Sequence, residues 1–482
     1  MRRLYRVAII GGGISGLSSA YFLEKEAAQA GVEIAIDLFE ARNRLGGVIV
    51  TEQRGEFLVE GGPESFLAVK PAAADLCREL GLGDQLLPSN DALRKTFVLQ
   101  NGRLRELPEG LMFVVPSRIW PLFASDLLSW KAKLRLVTSP LRPAPRMQGQ
   151  DVSVAEFIRR RFGSEVLERL AEPLLAAVYG ADVDMLSARA ALPQLVALEE
   201  KYGSLWKGLR AAAADGPRRP GGSRPKGSLF ITLRGGVGKL IETLQARLRR
   251  TTVHTETMAA RVRRSADGQR ITMECGAGEK SETGADALIV ATPAHSAAQL
   301  LRELDRVLAE QLEMIRYHSS LIVAFGFDRT AFRTRPEGFG FVVPRSEARR
   351  LVALTWVSTK FPFRSSAEQV LVRCFLGGAR DPQAAELTDD QLVAVSLREL
   401  NEICGESARP SFHRVYRWTL SMPEYGLGHL ERLREIESRL SGQPGLFLAG
   451  NGYRGVGIPD CIQSGEAAAA GAVRFMRTLA GR

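Results

Sequence analysis

The feature that most narrows the folds open to this chain lies at its start. Arg6-Val7-Ala8-Ile9-Ile10 reads as an apolar strand, Gly11-Gly12-Gly13-Ile14-Ser15-Gly16 follows at once, and an amphipathic helix ending near Gly31 leads to a second strand and Glu40. Strand, glycine turn and helix in that order build a dinucleotide clamp. Gly11 allows the tight turn, Gly13 lets the backbone approach a pyrophosphate, and Gly16 lets the helix pack closely on the strand. The helix N-terminus offers free N–H groups to the phosphates. An acid closing the second strand suits the ribose hydroxyls of an adenosine, which is the place expected for Glu40.

A chain of 482 residues, 45% of them hydrophobic, is too long for one core and is expected to hold two or three interleaved domains. From about residue 91 to 215 the pattern is largely helical, with apolar residues three and four apart over 151–162 and 165–178. This reads as an inserted helical domain. Residues from about 315 to 415 alternate as strands do, in 320–327, 338–343, 351–357 and 370–376, and are expected to form a mixed sheet walling a substrate cavity. The domains expected are therefore nucleotide-binding over 1–90, 227–295 and 416–482, helical over 91–226, and substrate-binding over 296–415.

Several classes are excluded. The five cysteines are scattered and form no Cys-x-x-Cys pair, which argues against a disulfide framework or a zinc site and for a reducing, cytoplasmic compartment. The first strand begins within a few residues of Met1, so a secretory leader is not expected. No apolar run is long enough to span a membrane. The segment from Leu111 to Trp130 is rich in large apolar residues interrupted by Arg118 and Asp126. It reads either as a surface that rests peripherally on the inner face of a cell membrane or as an amphipathic helix pair packed into its own domain. The net charge of +11 is spread along the chain, and its one basic low-complexity stretch, residues 216–226, reads as a loop. Without an aromatic and basic platform, nucleic-acid binding is not expected.

The C-terminal segment carries the second strong signal. Strand-like Gly445-Leu446-Phe447-Leu448-Ala449 runs into Gly450-Asn451-Gly452-Tyr453-Arg454-Gly455, then Val456-Gly457-Ile458-Pro459-Asp460 and a helix to about Arg477. Pro459 suits the first turn of that helix. A helix start here would place backbone donors against the pyrimidine end of a flavin, where negative charge gathers on reduction.

With both ends in view the chain resembles the flavoprotein porphyrinogen oxidases of haem synthesis, which act on protoporphyrinogen or coproporphyrinogen III. The likeness covers nearly the full length. It rests on Gly11 to Gly16, on Glu40 with Arg44-Leu45-Gly46-Gly47, on Gly62-Pro63-Glu64-Ser65-Phe66, on Leu233-Arg234-Gly235-Gly236, on Ser421 to His429, and on Gly455 to Asp460. The first two also occur across the wider amine oxidase-like flavoproteins, so an amine oxidase or carotenoid desaturase shares them. The last two are particular to the porphyrinogen oxidases.

The resemblance implies FAD and an α/β fold: a Rossmann-type FAD-binding domain, a mixed-sheet substrate domain and an inserted helical domain facing a membrane. It places Gly11, Gly12, Gly13, Ile14, Ser15 and Gly16 at the pyrophosphate and Glu40 at the ribose, with Ala41, Arg44, Gly46 and Gly47 beside it. Gly62, Pro63, Glu64 and Ser65 fall near the flavin, Trp418, Val456, Gly457 and Ile458 fall along the isoalloxazine, and Ala259 meets the adenine through its backbone where relatives carry valine. Gly61 stands where some relatives have a basic residue.

The implied partners are a porphyrinogen and molecular oxygen. A porphyrinogen becomes a porphyrin by losing six electrons and six hydrogens, so a two-electron flavin must turn over three times. The cofactor carries the hard step, and no nucleophile or metal set is required or found. Lys70 is the candidate partner for a substrate carboxylate, and Phe339, Phe341 and Met422 are candidates for the apolar cavity wall. His429 reads either as a group near the flavin or as a hydrogen-bonded structural histidine. Coproporphyrinogen III and protoporphyrinogen IX both stay open, as do a homodimer and a non-catalytic porphyrin carrier.

Overall fold

The protein is described from a computed structural model covering residues 3–108, 111–112, 115–116, 125–139, 150–203, 205, 208, 228–276, 281–333 and 336–480. The basic stretch 216–226 and the aromatic residues Phe113, Trp120 and Phe123 lie outside the described residues.

The N-terminal clamp forms as expected. Strand β1 (Leu4–Ile10) leads through the glycine turn into helix α1 (Ile14–Ala30) and then strand β2 (Glu33–Phe39). Strands β3 (Thr251–His254), β4 (Ala287–Val290) and β5 (Leu446–Leu448) complete a parallel sheet in the order β3-β2-β1-β4-β5. This is the doubly wound order, in which ligands bind beyond the carboxyl ends of the strands where the winding reverses. Gly11 sits at that place, after β1. The central strands read Val7-Ala8-Ile9-Ile10 and Ala287-Leu288-Ile289-Val290 because both faces are covered. On one face α1 and the last helix, α2 (Ile458–Ala480), enclose Val7, Ile9 and Ile289. On the other face lie Ala8, Ile10, Leu288 and Val290, packed against the helices Ala294–Leu301 and Arg306–Glu313.

A seven-stranded mixed sheet forms the second unit. Its order is Phe412–Pro423, Tyr317–Asp328, Gln369–Gly377, Ala353–Trp356, Gly340–Val342, Thr96–Gln100 and Arg103–Glu106. Only the pairing of Gly340–Val342 with Thr96–Gln100 is parallel. One face, carrying Val323, Phe325, Phe341, Val372 and Cys374, is covered by the helix Asp389–Cys404. The opposite face, with Ile322, Ala324, Leu371, Tyr416 and Trp418, packs on Phe57 and Val59 of the nucleotide-binding unit.

Three expectations change. Residues 96–106, assigned by pattern to the helical domain, hydrogen-bond into the mixed sheet. Residues 296–313 pack on the nucleotide sheet, because Ala297, Leu301, Leu308 and Leu312 join its apolar face. Residues 416–423 belong to the mixed sheet, paired with Tyr317–Asp328. The helical unit has a core, with Phe157, Ile158, Leu170, Leu175 and Leu195, that continues onto Val98, Val342 and Ala353 of the mixed sheet. Its entry segment is not a pair of helices throughout: Leu111–Met112 and Val115–Pro116 pair as a hairpin, and a helix spans Trp130–Thr138. Among the described residues no helix is long and apolar enough to cross a membrane.

Candidate active site

The clamp is built by close backbone packing. Gly11 takes φ +107°, and a Cβ on Gly16 would stand 1.9 Å from the Gly11 carbonyl oxygen. A Cβ on Gly13, by contrast, would meet only Gly47 Cα at 4.0 Å, so the space in front of Gly13 is open. Helix α1 starts there with no side-chain cap and no acid in its first turn. Its first N–H groups therefore point into that space with the positive end of the helix dipole behind them. The residues present fit a pyrophosphate.

Glu40 closes the far side of the clamp. Its carboxylate accepts the Gly12 N–H at 2.7 Å and the Arg42 N–H at 2.9 Å. A carboxylate has about four acceptor positions, so capacity remains for ribose hydroxyls. Backbone N–H groups of Glu256 and Thr257 donate to the Arg42 and Glu40 carbonyls at 3.0 Å each, which brings the chain before Ala259 beside this pocket. Ala41 is exposed here. Arg44 folds back on its own loop, donating to the carbonyls of Leu45 at 3.2 Å and Gly47 at 2.6 Å. The Gly46 N–H donates to the Gly12 carbonyl at 2.8 Å, locking this loop to the clamp.

The next layer is the ribbon Gly61-Gly62-Pro63-Glu64-Ser65. The Gly61 N–H donates to the Val50 carbonyl at 2.8 Å. Trp418 Nε1 donates to the Gly61 carbonyl at 2.7 Å, and Arg373 Nη2 donates to the Gly62 carbonyl, so the mixed sheet grips the ribbon from behind. A side chain at position 61 would strike the Tyr416 ring at 2.5 Å, which accounts for glycine there. Glu64 is buried and paired with Lys360 at 2.6 Å and Arg373 at 3.0 Å. Burial would raise its carboxyl, but the two cations overcome that and hold it down at about 2. Its side chain is thus committed inside the protein, and only its backbone is available to a cofactor.

Helix α2 begins at Ile458, as the glycine segment predicts. Ile14 and Ile458 share a core, and the two helices cross so closely that a Cβ on Gly465 would lie 2.5 Å from the Ser15 carbonyl oxygen. Val456 packs toward the helical unit. Asp460 accepts the Gly457 N–H at 3.1 Å and binds Lys70 Nζ at 2.7 Å. Lys70 is thus at the mouth of the cradle, but its charge is already shared with Asp460. The run Ser421 to His429 braces the loop ahead of α2: Asn451 Nδ2 donates to the Ser421 carbonyl at 3.1 Å, and His429 Nε2 meets the Tyr453 carbonyl at 2.9 Å. His429 is fully buried and stacked on Tyr425 at 4.3 Å, and burial lowers its pKa. It is a structural histidine.

The apolar wall is partly corrected. Phe341 lies on the sheet face covered by Asp389–Cys404, in one row with Leu354 and Cys374, and so faces away from the nucleotide-binding unit. Phe339 is buried beside Lys360, whose ammonium also lies over Phe230 at 4.1 Å and Phe361 at 5.2 Å. Met422 lies across from Gly180 at the end of the helix Glu172–Tyr179, where sheet and helical unit meet. Sequence reasoning missed Lys360, Arg364 and Arg373. A signal existed: Arg373 interrupts the otherwise apolar strand Val370-Leu371-Val372-Arg373-Cys374-Phe375-Leu376.

The family described as flavin containing amine oxidoreductase matches residues 14–473. The coproporphyrinogen III oxidase of Bacillus subtilis (strain 168) is 34% identical over 471 residues, covering 98% of each chain. The chloroplastic protoporphyrinogen oxidase 1 of Arabidopsis thaliana is 31% identical, covering 98% of this chain and 88% of its own. A solved structure of a provisionally named protoporphyrinogen oxidase from Exiguobacterium sp. 255-15 is 31% identical and superposes with a TM-score of 0.85, covering 98% of this chain and 100% of the other. The cofactor of this chain is FAD. The chain belongs to the flavin-containing amine oxidoreductase family and, within it, to the porphyrinogen oxidases.

Proposed function

We propose that this protein oxidises a porphyrinogen to the porphyrin in haem synthesis, with coproporphyrinogen III the faster of two candidate substrates and protoporphyrinogen IX the slower. The observation that carries this reading is the end-to-end identity of 34% to a bacterial coproporphyrinogen III oxidase. Two more bacterial relatives of that name are 32% identical over at least 95% of this chain. FAD supplies a two-electron acceptor, so removing six electrons takes three cycles, with molecular oxygen as the acceptor that closes each one.

The chain's own residues bind, orient and shield. The first turn of α1 holds the pyrophosphate and Glu40 the ribose, while the ribbon 61–65 and Trp418 set one side of the flavin and the start of α2 sets the other. The substrate then lies between this cradle and the junction of the mixed sheet with the helical unit, where Met422 and Gly180 meet. Such a site works by proximity and exclusion of water around a methylene bridge. Lys70 is suited to a substrate carboxylate, which would compete with Asp460 for the ammonium. Peripheral contact with a membrane surface is supported by Trp130 and Leu134, which are 73% and 63% exposed one turn apart on the same helix.

Parallel steady-state assays of the purified yellow protein with the two porphyrinogens test this reading. Porphyrin fluorescence should rise with both and faster with coproporphyrinogen III. Turnover of protoporphyrinogen IX alone would reverse the substrate assignment, and turnover of neither would remove the activity.

A further inference from the structure

Behind the Gly61–Gly62 ribbon lies a cluster of buried charge that the binding of FAD and substrate leaves unexplained. Arg364 Nη1 donates to Glu60 at 2.7 Å, and Nη2 donates to Thr232 Oγ1 at 2.7 Å. Lys360 Nζ donates to one oxygen of Glu64 at 2.6 Å, and Arg373 Nη1 donates to the other at 3.0 Å. All five charged residues are buried. Among the described residues two carboxylates thus face three cations, and one positive charge is left over. The neighbouring acid Glu52 does not supply the balance, because it is held by Arg54 at 3.0 Å and Arg414 at 3.4 Å. The Nε groups of Arg364 and Arg373 also find no acceptor among the described residues.

An unbalanced charge is costly to bury and calls for a negative partner. Of the three cations, Arg373 stands nearest the ribbon: it donates to the Gly62 carbonyl, and its guanidinium lies 5.0 Å from the Phe375 ring. In a site closed to water, a fixed cation stabilises charge that develops nearby far more than it would in solution. The negative charge at hand is the one a flavin acquires on reduction.

We propose that Arg373 is a positioning residue for the flavin, fixing the Gly61–Gly62 ribbon and supplying the unbalanced positive charge that favours the reduced cofactor. This rests on FAD occupying the cradle, which the yellow colour and flavin content of the parent protein check separately. The test is spectroelectrochemical titration of the bound flavin in the holoprotein and in three variants. Arg373→Met should favour the oxidised flavin by about tenfold, a fall of about 30 mV for a two-electron couple. Glu64→Gln, which removes a negative charge from the same cluster, should move the potential the opposite way, and Arg373→Lys should stay near the parent. If Arg373→Met does not retain flavin, the sign of the Glu64→Gln shift decides. Equal or same-sign shifts in Arg373→Met and Glu64→Gln would overturn the proposal. Loss of flavin from all three variants would do so too, since the cluster would then serve folding alone.

Discussion

At the Glu64 carboxyl, burial and pairing pull in opposite directions, and pairing with Lys360 and Arg373 wins. Its folded-state value is depressed, so its contribution to stability is complete above the ordinary value of 4.5 and is lost as pH falls through about 2. Urea midpoints measured across that interval should therefore fall more steeply for the parent than for Glu64→Gln, and parallel curves would contradict the pairing. Gly13 and Gly16 offer a sharper contrast. Gly16→Ala drives a methyl into the Gly11 carbonyl and should cost about 1–3 kcal/mol of stability or more. Gly13→Ala points into open space, so the melting temperature of the flavin-free protein should hardly move while FAD affinity falls about tenfold, or about 1.4 kcal/mol. Equal losses of stability in both would refute the reading of Gly13 as ligand-facing. Lys70→Ala should raise KM more for coproporphyrinogen III, which has four carboxylates, than for protoporphyrinogen IX, which has two, and unchanged kinetics would remove Lys70 from the site. At this scale the clamp glycines and Glu40 were legible because one contiguous strand–turn–helix–strand unit arranges them all. The Lys360, Arg364 and Arg373 cluster was not, because its partners Glu60 and Glu64 lie far away in the chain and meet it only through tertiary packing.

The elements that matter most are the two helices whose N-termini are proposed to face the cofactor. They cross at Gly465, where Ser19 Oγ donates to the Gly465 carbonyl at 3.2 Å and to the Ser15 carbonyl at 2.9 Å. Gly465→Ala should push α2 off α1, destabilising the protein by about 1–3 kcal/mol and weakening FAD retention in a dialysis assay. Full retention with unchanged stability would show that the crossing does not set the cradle. Both helices were legible from glycine and apolar patterning. The strand Thr96–Gln100 was not, since its partners are Gly340–Val342, distant in sequence, and the adjoining Arg103–Glu106. Its inclusion in a helical stretch followed from its neighbours' pattern. Phe341 was misplaced for a related reason: alternation fixes that a strand has two faces, but which face is covered by a helix depends on where Asp389–Cys404 lands.

Across the whole molecule, a parallel nucleotide sheet and a mixed sheet meet at the ribbon 61–65, with the helical unit closing one side. The division into three units was legible because each carries its own apolar periodicity. Their boundaries were not, because residues 96–106, 296–313 and 416–423 pack across them. This assembly is expected to turn over a porphyrinogen rather than merely bind one. The direct measurement is porphyrin formed per bound flavin when the holoprotein meets excess coproporphyrinogen III and oxygen. Porphyrin in many-fold excess over flavin is the result expected, whereas a yield that stops at or below one porphyrin per flavin would contradict the claim.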